Sequence, residues 1–404
     1  MDTGAYSGRR CYQRAVALVA LIAIITAASM RLQADTGTCG GVTTTLPFND
    51  VMGNPFFCQI AEAFFSGLSN GTSATTYSPA QNVPREQMAA FVTRTMDQSL
   101  KRGSRRAALR KFWTPTSENG LGLTTVGLVP KWVESDGADL WVPNQASGNV
   151  YRVRASDGKL LEIWAGPNNP TGVLAAKGLI FVIDFSTAPG KLYQIDPTQP
   201  AGPVTTLPVS LGDNPSGIAF DGARIWTANR GGSVSILTLN PLSPMTVMTG
   251  FSSPAGILYD GANMWVTDVE GVQPVGKLFK LDSSGAIIQT VDVGTFPGFP
   301  VFDGTNIWVP NVNSNSVTVV RAATGVVLAT LTSNGLSGPQ VASFDGERIL
   351  VTNTTGDSVS LWRASDLTPL GSVSTGTDTF PVGACSDGLN FWITLSGPGK
   401  LARF

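Results

Sequence analysis

Asn214 to Asn229 reads NPSGIAFDGARIWTAN, and this phrase recurs in looser form along most of the chain. A proline opens it, an apolar run leads into Asp-Gly, and a second apolar run carries Trp226 to Asn229. The seven residues from Pro215 to Gly222 are matched by Pro130/Gly137, Pro254/Gly261, Pro297/Gly304, Pro339/Gly346 and Pro381/Gly388; Pro170/Gly178 is one residue longer. Successive turn glycines fall 41, 44, 39, 43, 42 and 42 residues apart. A steady period near this length, built from short strands and glycine turns, is the signature of a β-propeller with one blade per repeat.

Each repeat decodes as four strands. The first is the run before Asp-Gly, expected innermost, and the second is the Trp-Val run. A third includes VYRVRA, LYQID, VSILTL and LFKLD; a fourth includes LLEIW and IIQTVDV. The last copy stops after LARF without a fourth strand, and residues 122–129, GLTTVGLV, are placed to supply it. The reading is all-β: a seven-bladed propeller over 121–404, closed by an N-terminal strand so that no sheet edge is left open.

Composition agrees. Of 404 residues, 14% are charged, while 45 glycines and 26 prolines suit many strands joined by tight turns. Residues 1–120 hold 12 Lys/Arg against 7 Asp/Glu, and residues 121–404 hold 15 against 21. An acidic main domain argues against a nucleic-acid partner. The chain has no histidine, which removes histidine bases, Ser-His triads and histidine-held metals together.

Ahead of the propeller, Arg9, Arg10 and Arg14 precede the apolar run AVALVALIAIITAA, with Ala34 in a small-residue context. This reads as a secretory signal over 1–34, and the run is shorter than the ~20 residues of a membrane span. Export to the cell surface, periplasm or medium is expected, with no stable transmembrane anchor after cleavage. Cys39 and Cys58 then become candidates for a disulfide closing a short loop, and Cys385 reads as a small buried hydrophobe.

Residues 35–100 read as a small α-helical module. Asn54-Pro55 supplies a cap and first-turn proline, and Phe57, Ile60, Ala61, Phe64 and Leu68 share a face. Pro84 opens a second helix with Met88, Phe91, Val92 and Thr95 on one face. The segments FNDVMGNPFF, GLSNGTSATTYSPAQNV and PREQMAAFVTRT resemble one S-layer homology module. That resemblance implies contact with cell-envelope polysaccharide or peptidoglycan, with Arg85 at the glycan-binding helix start. Pro84 departs from the usual Thr, and one module stands where three commonly act; a plain folding cap is the competing reading. Residues 101–120 form a basic segment and linker in which Lys101, Arg102, Arg105, Arg106, Arg110 and Lys111 run without an acid between them.

Copies such as ILVTNTTGDSVSLWRASD (349–366) resemble the YVTN-type repeats of bacterial surface propellers, related in style to NHL and virginiamycin B lyase-like propellers. The resemblance implies a fold and leaves activity open. Virginiamycin B lyase-like enzymes rely on a catalytic histidine, which this chain lacks.

The rim at the Pro motif gathers Asn144, Asp184, Asn229, Asp268, Asn311 and Asn353, first of all as turn residues. The repeated tryptophans read as inter-blade packing. From the Asn/Asp position to the next strand's first apolar residue is 6 residues in the first, fifth, sixth and seventh copies (the seventh starting from Leu395), but 8 after Asp184, 5 after Asn229 and 10 after Asp268. Insertions on one face are where repeat proteins place binding, so Asp184, Asn229, Arg230, Asp268 and Glu270 are the candidate ligand residues. Such a group could hold Ca²⁺, yet no D-x-D-x-D-type run accompanies it, and no cofactor is expected. The favoured function is an exported envelope-associated protein presenting a binding face to a ligand or another surface protein. A metal-dependent propeller lyase or lactonase and a structural surface-layer subunit are the alternatives.

Overall fold

A computed structural model describes residues 34–39, 42–65, 69–85, 87–89, 91–92 and 122–404, except 186–187, 248–249 and 270–274. The expected signal up to residue 33, Leu68, Thr95, the basic segment and Glu270 lie outside the described residues. The chain forms two compact units, divided after Lys101.

The larger unit is a seven-bladed β-propeller of four-stranded antiparallel sheets. Blade 3 shows the pattern: Pro215–Phe220 innermost, then Arg224–Asn229, Ser233–Leu239 and Leu242–Val247, each paired with the next. Blade 7 takes its outermost strand from the start of the propeller. Leu123–Thr125 pairs with Lys400–Arg403, in the register Leu123 to Ala402 and Thr125 to Lys400. This closes the ring where 122–129 was expected to act, and pairs an edge that would otherwise stay open.

The second strand of each blade is buried along its length, end to end in NIWVPN and all but Arg224 in RIWTAN, because neighbouring sheets cover both faces. Its tryptophans are pinned from the Asp-Gly turn. In blade 3 the Asp221 carboxylate accepts the backbone N–H groups of Ala223 and Arg224 through one oxygen and the Trp226 indole N–H through the other. Asp136–Trp141, Asp260–Trp265, Asp303–Trp308 and Asp387–Trp392 repeat the bond at 2.7–2.8 Å. All five indoles are fully buried, so each buries a large apolar area while its single polar atom stays satisfied. Blade 6 has Leu350 in place of tryptophan, and there Arg348 pairs with Asp345 at 2.8 Å.

The innermost strands meet around the axis, and glycine two residues after the proline lets them approach. A Cβ on Gly217 would lie 2.5 Å from the Ala255 carbonyl oxygen, and one on Gly383 would lie 2.7 Å from the Trp132 Cα. Only glycine fits such contacts between backbones.

The smaller unit departs from the all-helical expectation. It opens with a β-hairpin, Asp35–Cys39 against Val42–Leu46, ahead of the helix Phe57–Phe65. The hairpin was legible: two Thr/Val-rich runs flank Gly40-Gly41, a two-residue hairpin signal that the helical periodicity downstream obscured. Asn54 caps the helix, its Oδ1 accepting the Phe56 N–H at 2.8 Å. Leu46, Phe48, Val51, Phe57, Ile60 and Ala61 form the core. Cys39 and Cys58 are joined as a disulfide with a Cα–Cα distance of 5.5 Å. Residues 85, 87–89 and 91–92 are helical, but Met88 and Val92 are exposed rather than packed, and Arg85 is exposed at the start of this stretch.

Candidate functional site

The antiparallel register puts each motif proline opposite the Asn/Asp that ends the second strand: Pro215 faces Asn229, Pro254 faces Asp268, and Pro170 faces Asp184. These positions therefore share one rim, beside the mouth of the central channel. The next residue donates its backbone N–H to the carbonyl of the residue before the proline in every blade. Gln145 bonds Val129, Phe185 bonds Asn169, Arg230 bonds Asn214, Val269 bonds Ser253, Val312 bonds Phe296, Thr354 bonds Gly338 and Ser396 bonds Phe380. One repeated bond thus fixes seven backbone positions while leaving seven side chains free to differ.

This register corrects three of the expected ligand residues. Asp184, Asn229 and Asp268 are 0% exposed and face into their blades. Asp184 accepts the backbone N–H groups of Asn168 and Asn169 and the Tyr193 hydroxyl, and Asp268 accepts those of Ser252 and Ser253. The Asn229 amide donates to Ser233 and Ser235. Their oxygens and amides hold loops and do not reach the mouth. Side chains alternate along a strand, so the residue after each Asn/Asp, or after Leu395 in blade 7, points the other way, and all seven of these keep partial exposure.

Among the described candidate residues, Arg230 is the one that the structure brings to the mouth. With Lys131, Trp132, Gln145, Thr171, Phe185, Ser216, Phe299, Gln340, Thr354 and Val382 it lines a cavity of about 240 Å³. Most of these residues fall one place after a motif proline or one place after a rim Asn/Asp. Two of the cavity's three aromatics, Trp132 and Phe299, fall two places after Pro130 and Pro297, where blades 2, 3, 4 and 7 have glycine. Trp132 and Phe299 meet edge-to-face with ring centroids 4.7 Å apart. They belong to blades 1 and 5, which are not neighbours in the ring, so the pair spans the channel and floors the mouth.

The mouth is cationic although the propeller is acidic. The Arg230 Nε donates to Ser216 Oγ at 3.4 Å, and its guanidinium lies 5.9 Å from the centre of the Phe296 ring. Among the described residues neither Arg230 nor Lys131 meets a carboxylate. Burial pulls both the Lys131 ammonium and the Arg230 guanidinium below their ordinary ranges, because desolvation disfavours their charge. An anion entering the mouth would offset that desolvation.

Backbone strain gathers on the same rim. Val129, Asn214, Phe296 and Phe380 each precede a motif proline with φ between +46° and +57°. For a β-branched residue such as Val129 this is a costly conformation, and such strain concentrates where a loop must hold a set shape. Deeper on the innermost strand of blade 1, Glu134 is half-buried, and desolvation raises its carboxyl to about 7. Among the described residues, no group of three or more His, Cys, Asp or Glu is placed to hold a metal. Cys385 is buried, and its thiol is pushed up by desolvation and then by Glu134 and Asp387.

No family model and no curated protein matches the chain. Solved structures do. Virginiamycin B lyase from Staphylococcus aureus is similar over 70% of this chain and 98% of its own, with a TM-score of 0.57 and 16% identity. Hydrazine synthase from Kuenenia stuttgartiensis is similar over 72% of this chain and 99% of its own, with a TM-score of 0.58 and 17% identity. A mitotic checkpoint complex chain matches with a TM-score of 0.57 and 16% identity, covering 72% of this chain and 95% of its own. At such identity the likeness shows the fold alone, a β-propeller similar to that of virginiamycin B lyase.

Proposed function

We propose that the propeller is a binding module that takes a small anionic ligand in the channel mouth. The observation that carries this is the pair Lys131 and Arg230, half-buried in one cavity with no carboxylate partner among the described residues. Two desolvated cations without counter-charge are costly to hold, and an anionic ligand recovers that cost as charge-assisted hydrogen bonds. Calorimetric titration of the purified protein with small carboxylates and inorganic phosphate tests it. Binding should weaken at least tenfold in Lys131→Met and in Arg230→Met, and binding unchanged by both replacements overturns the reading.

A second reading, elimination chemistry in the same mouth, is favoured by the fold shared with virginiamycin B lyase. That protein has a catalytically inactive His-to-Ala variant, and this chain has no histidine. The base would have to be Lys131, whose ammonium burial already disposes to release its proton. Turnover of a bound ligand, lost in Lys131→Met but retained in Arg230→Lys, would separate catalysis from binding. Export rests on the sequence pattern of residues 1–34, and envelope contact through Arg85 on the sequence resemblance alone. Cell fractionation with and without residues 35–110 tests them, and equal retention of both forms in the envelope fraction sinks the anchoring role.

A further inference from the structure

We propose that the ligand is a carboxylate carried on a single six-membered ring, with the ring over Trp132 and Phe299 and the carboxylate on the Lys131–Arg230 side. This rests on the anion-binding reading above and narrows it to one chemical class. Size sets the first limit. A cavity of about 240 Å³ lies below the roughly 300–1,000 Å³ of pockets that hold drug-sized molecules, and so suits one ring rather than a chain of them.

The polar lining sets the second. Thr354 Oγ1 donates its one proton to the Pro381 carbonyl at 2.7 Å and lies 3.2 Å from the Gln340 side-chain amide, which it holds at the mouth. Lys131 and Arg230 carry only donors, so the charged part of the lining calls for a ligand with acceptors on that side.

The floor sets the third. A bare phosphate or acetate would leave the Trp132 and Phe299 faces wet, whereas a ring covers them and is held by dispersion and apolar burial. Placement separates the two ends of the ligand. The cations stand on blades 1 and 3, while blades 6 and 7 contribute Gln340, Thr354 and Val382. An anionic group on one side of a flat body matches that asymmetry. A uniformly charged ion does not.

The test titrates the full-length protein with benzoate, D-glucuronate, acetate and inorganic phosphate. At least one ring acid should bind tenfold or more tightly than acetate and phosphate, and the better of benzoate and glucuronate names the ring as aromatic or sugar. Trp132→Leu should erase the ring preference and leave acetate-level binding. Phe299→Leu provides the same readout if the first variant melts at a lower temperature. Acetate or phosphate binding as tightly as both ring acids overturns the ring-acid assignment while leaving the anion site standing. A ring preference that survives in both floor variants overturns the assignment of the floor. If none of the four binds, or if binding survives Lys131→Met with Arg230→Met together, the parent reading of the mouth falls instead.

Discussion

The two rims of the propeller come from the same repeat and differ in what the repeat holds constant. At the Asp-Gly rim, five blades use the same carboxylate to cap a turn and to hold a buried indole, as Asp260 does for Ala262, Asn263 and Trp265. At the Pro rim the position after each strand-end residue is held only through its backbone, and its side chain changes from Gln145 to Phe185, Arg230, Val269, Val312, Thr354 and Ser396 around the ring. Where the side chain repeats, it serves the sheet. Where only the backbone repeats, the side chain is available for a ligand.

That contrast can be tested by experiment, and an effect as large as any at the rims should come from the closing strand. Deleting residues 122–126 removes the strand that pairs with Lys400–Arg403. Several ladder hydrogen bonds and the Leu123 contacts would go together, lowering stability by about 3–5 kcal/mol. A denaturation midpoint unchanged by the deletion would show that the ring closes without this strand.

At the Asp-Gly rim, Trp226→Ala should cost about 3–5 kcal/mol, since it leaves a cavity in a fully buried site and strips Asp221 of a donor. Anion affinity at the mouth should not change. Calorimetry on the folded fraction checks both halves, and an affinity change of more than threefold would mean the rims are coupled.

Glu134 offers a smaller, pH-dependent test. Its folded value of about 7 lies above the ordinary 4.5, so the folded state favours the protonated form. The associated stability is complete below about pH 4.5 and is lost as pH rises through 7. Glu134→Gln should therefore raise stability by about 1–3 kcal/mol at pH 8 and change little at pH 4. Equal shifts at both pH values would point to packing rather than charge.

The smallest effect belongs to the mouth. Arg230→Gln should alter stability by no more than about 0.5 kcal/mol while abolishing most anion binding. A large loss of stability would place Arg230 with the structural residues and erase the distinction between the rims.

The sequence by itself determined the repeat, the number of blades and the closing strand. Proline, Asp-Gly and alternating apolar residues act locally, and a fixed period leaves one ring that buries every blade. It also located the rim, because a proline and an Asn/Asp at paired strand ends must lie together. Tertiary structure decided which residues on that rim are available. The carboxylates of Asp184 and Asp268 stand out in the sequence, yet pairing turns them inward onto backbone N–H groups and turns Arg230 outward. The period-2 alternation that shifts the site by one residue could have been applied from sequence. So could the aromatics standing where four blades have glycine, at Trp132 and Phe299. That those two rings meet across the channel could not, because residues 167 positions apart become neighbours only when seven blades close around one axis.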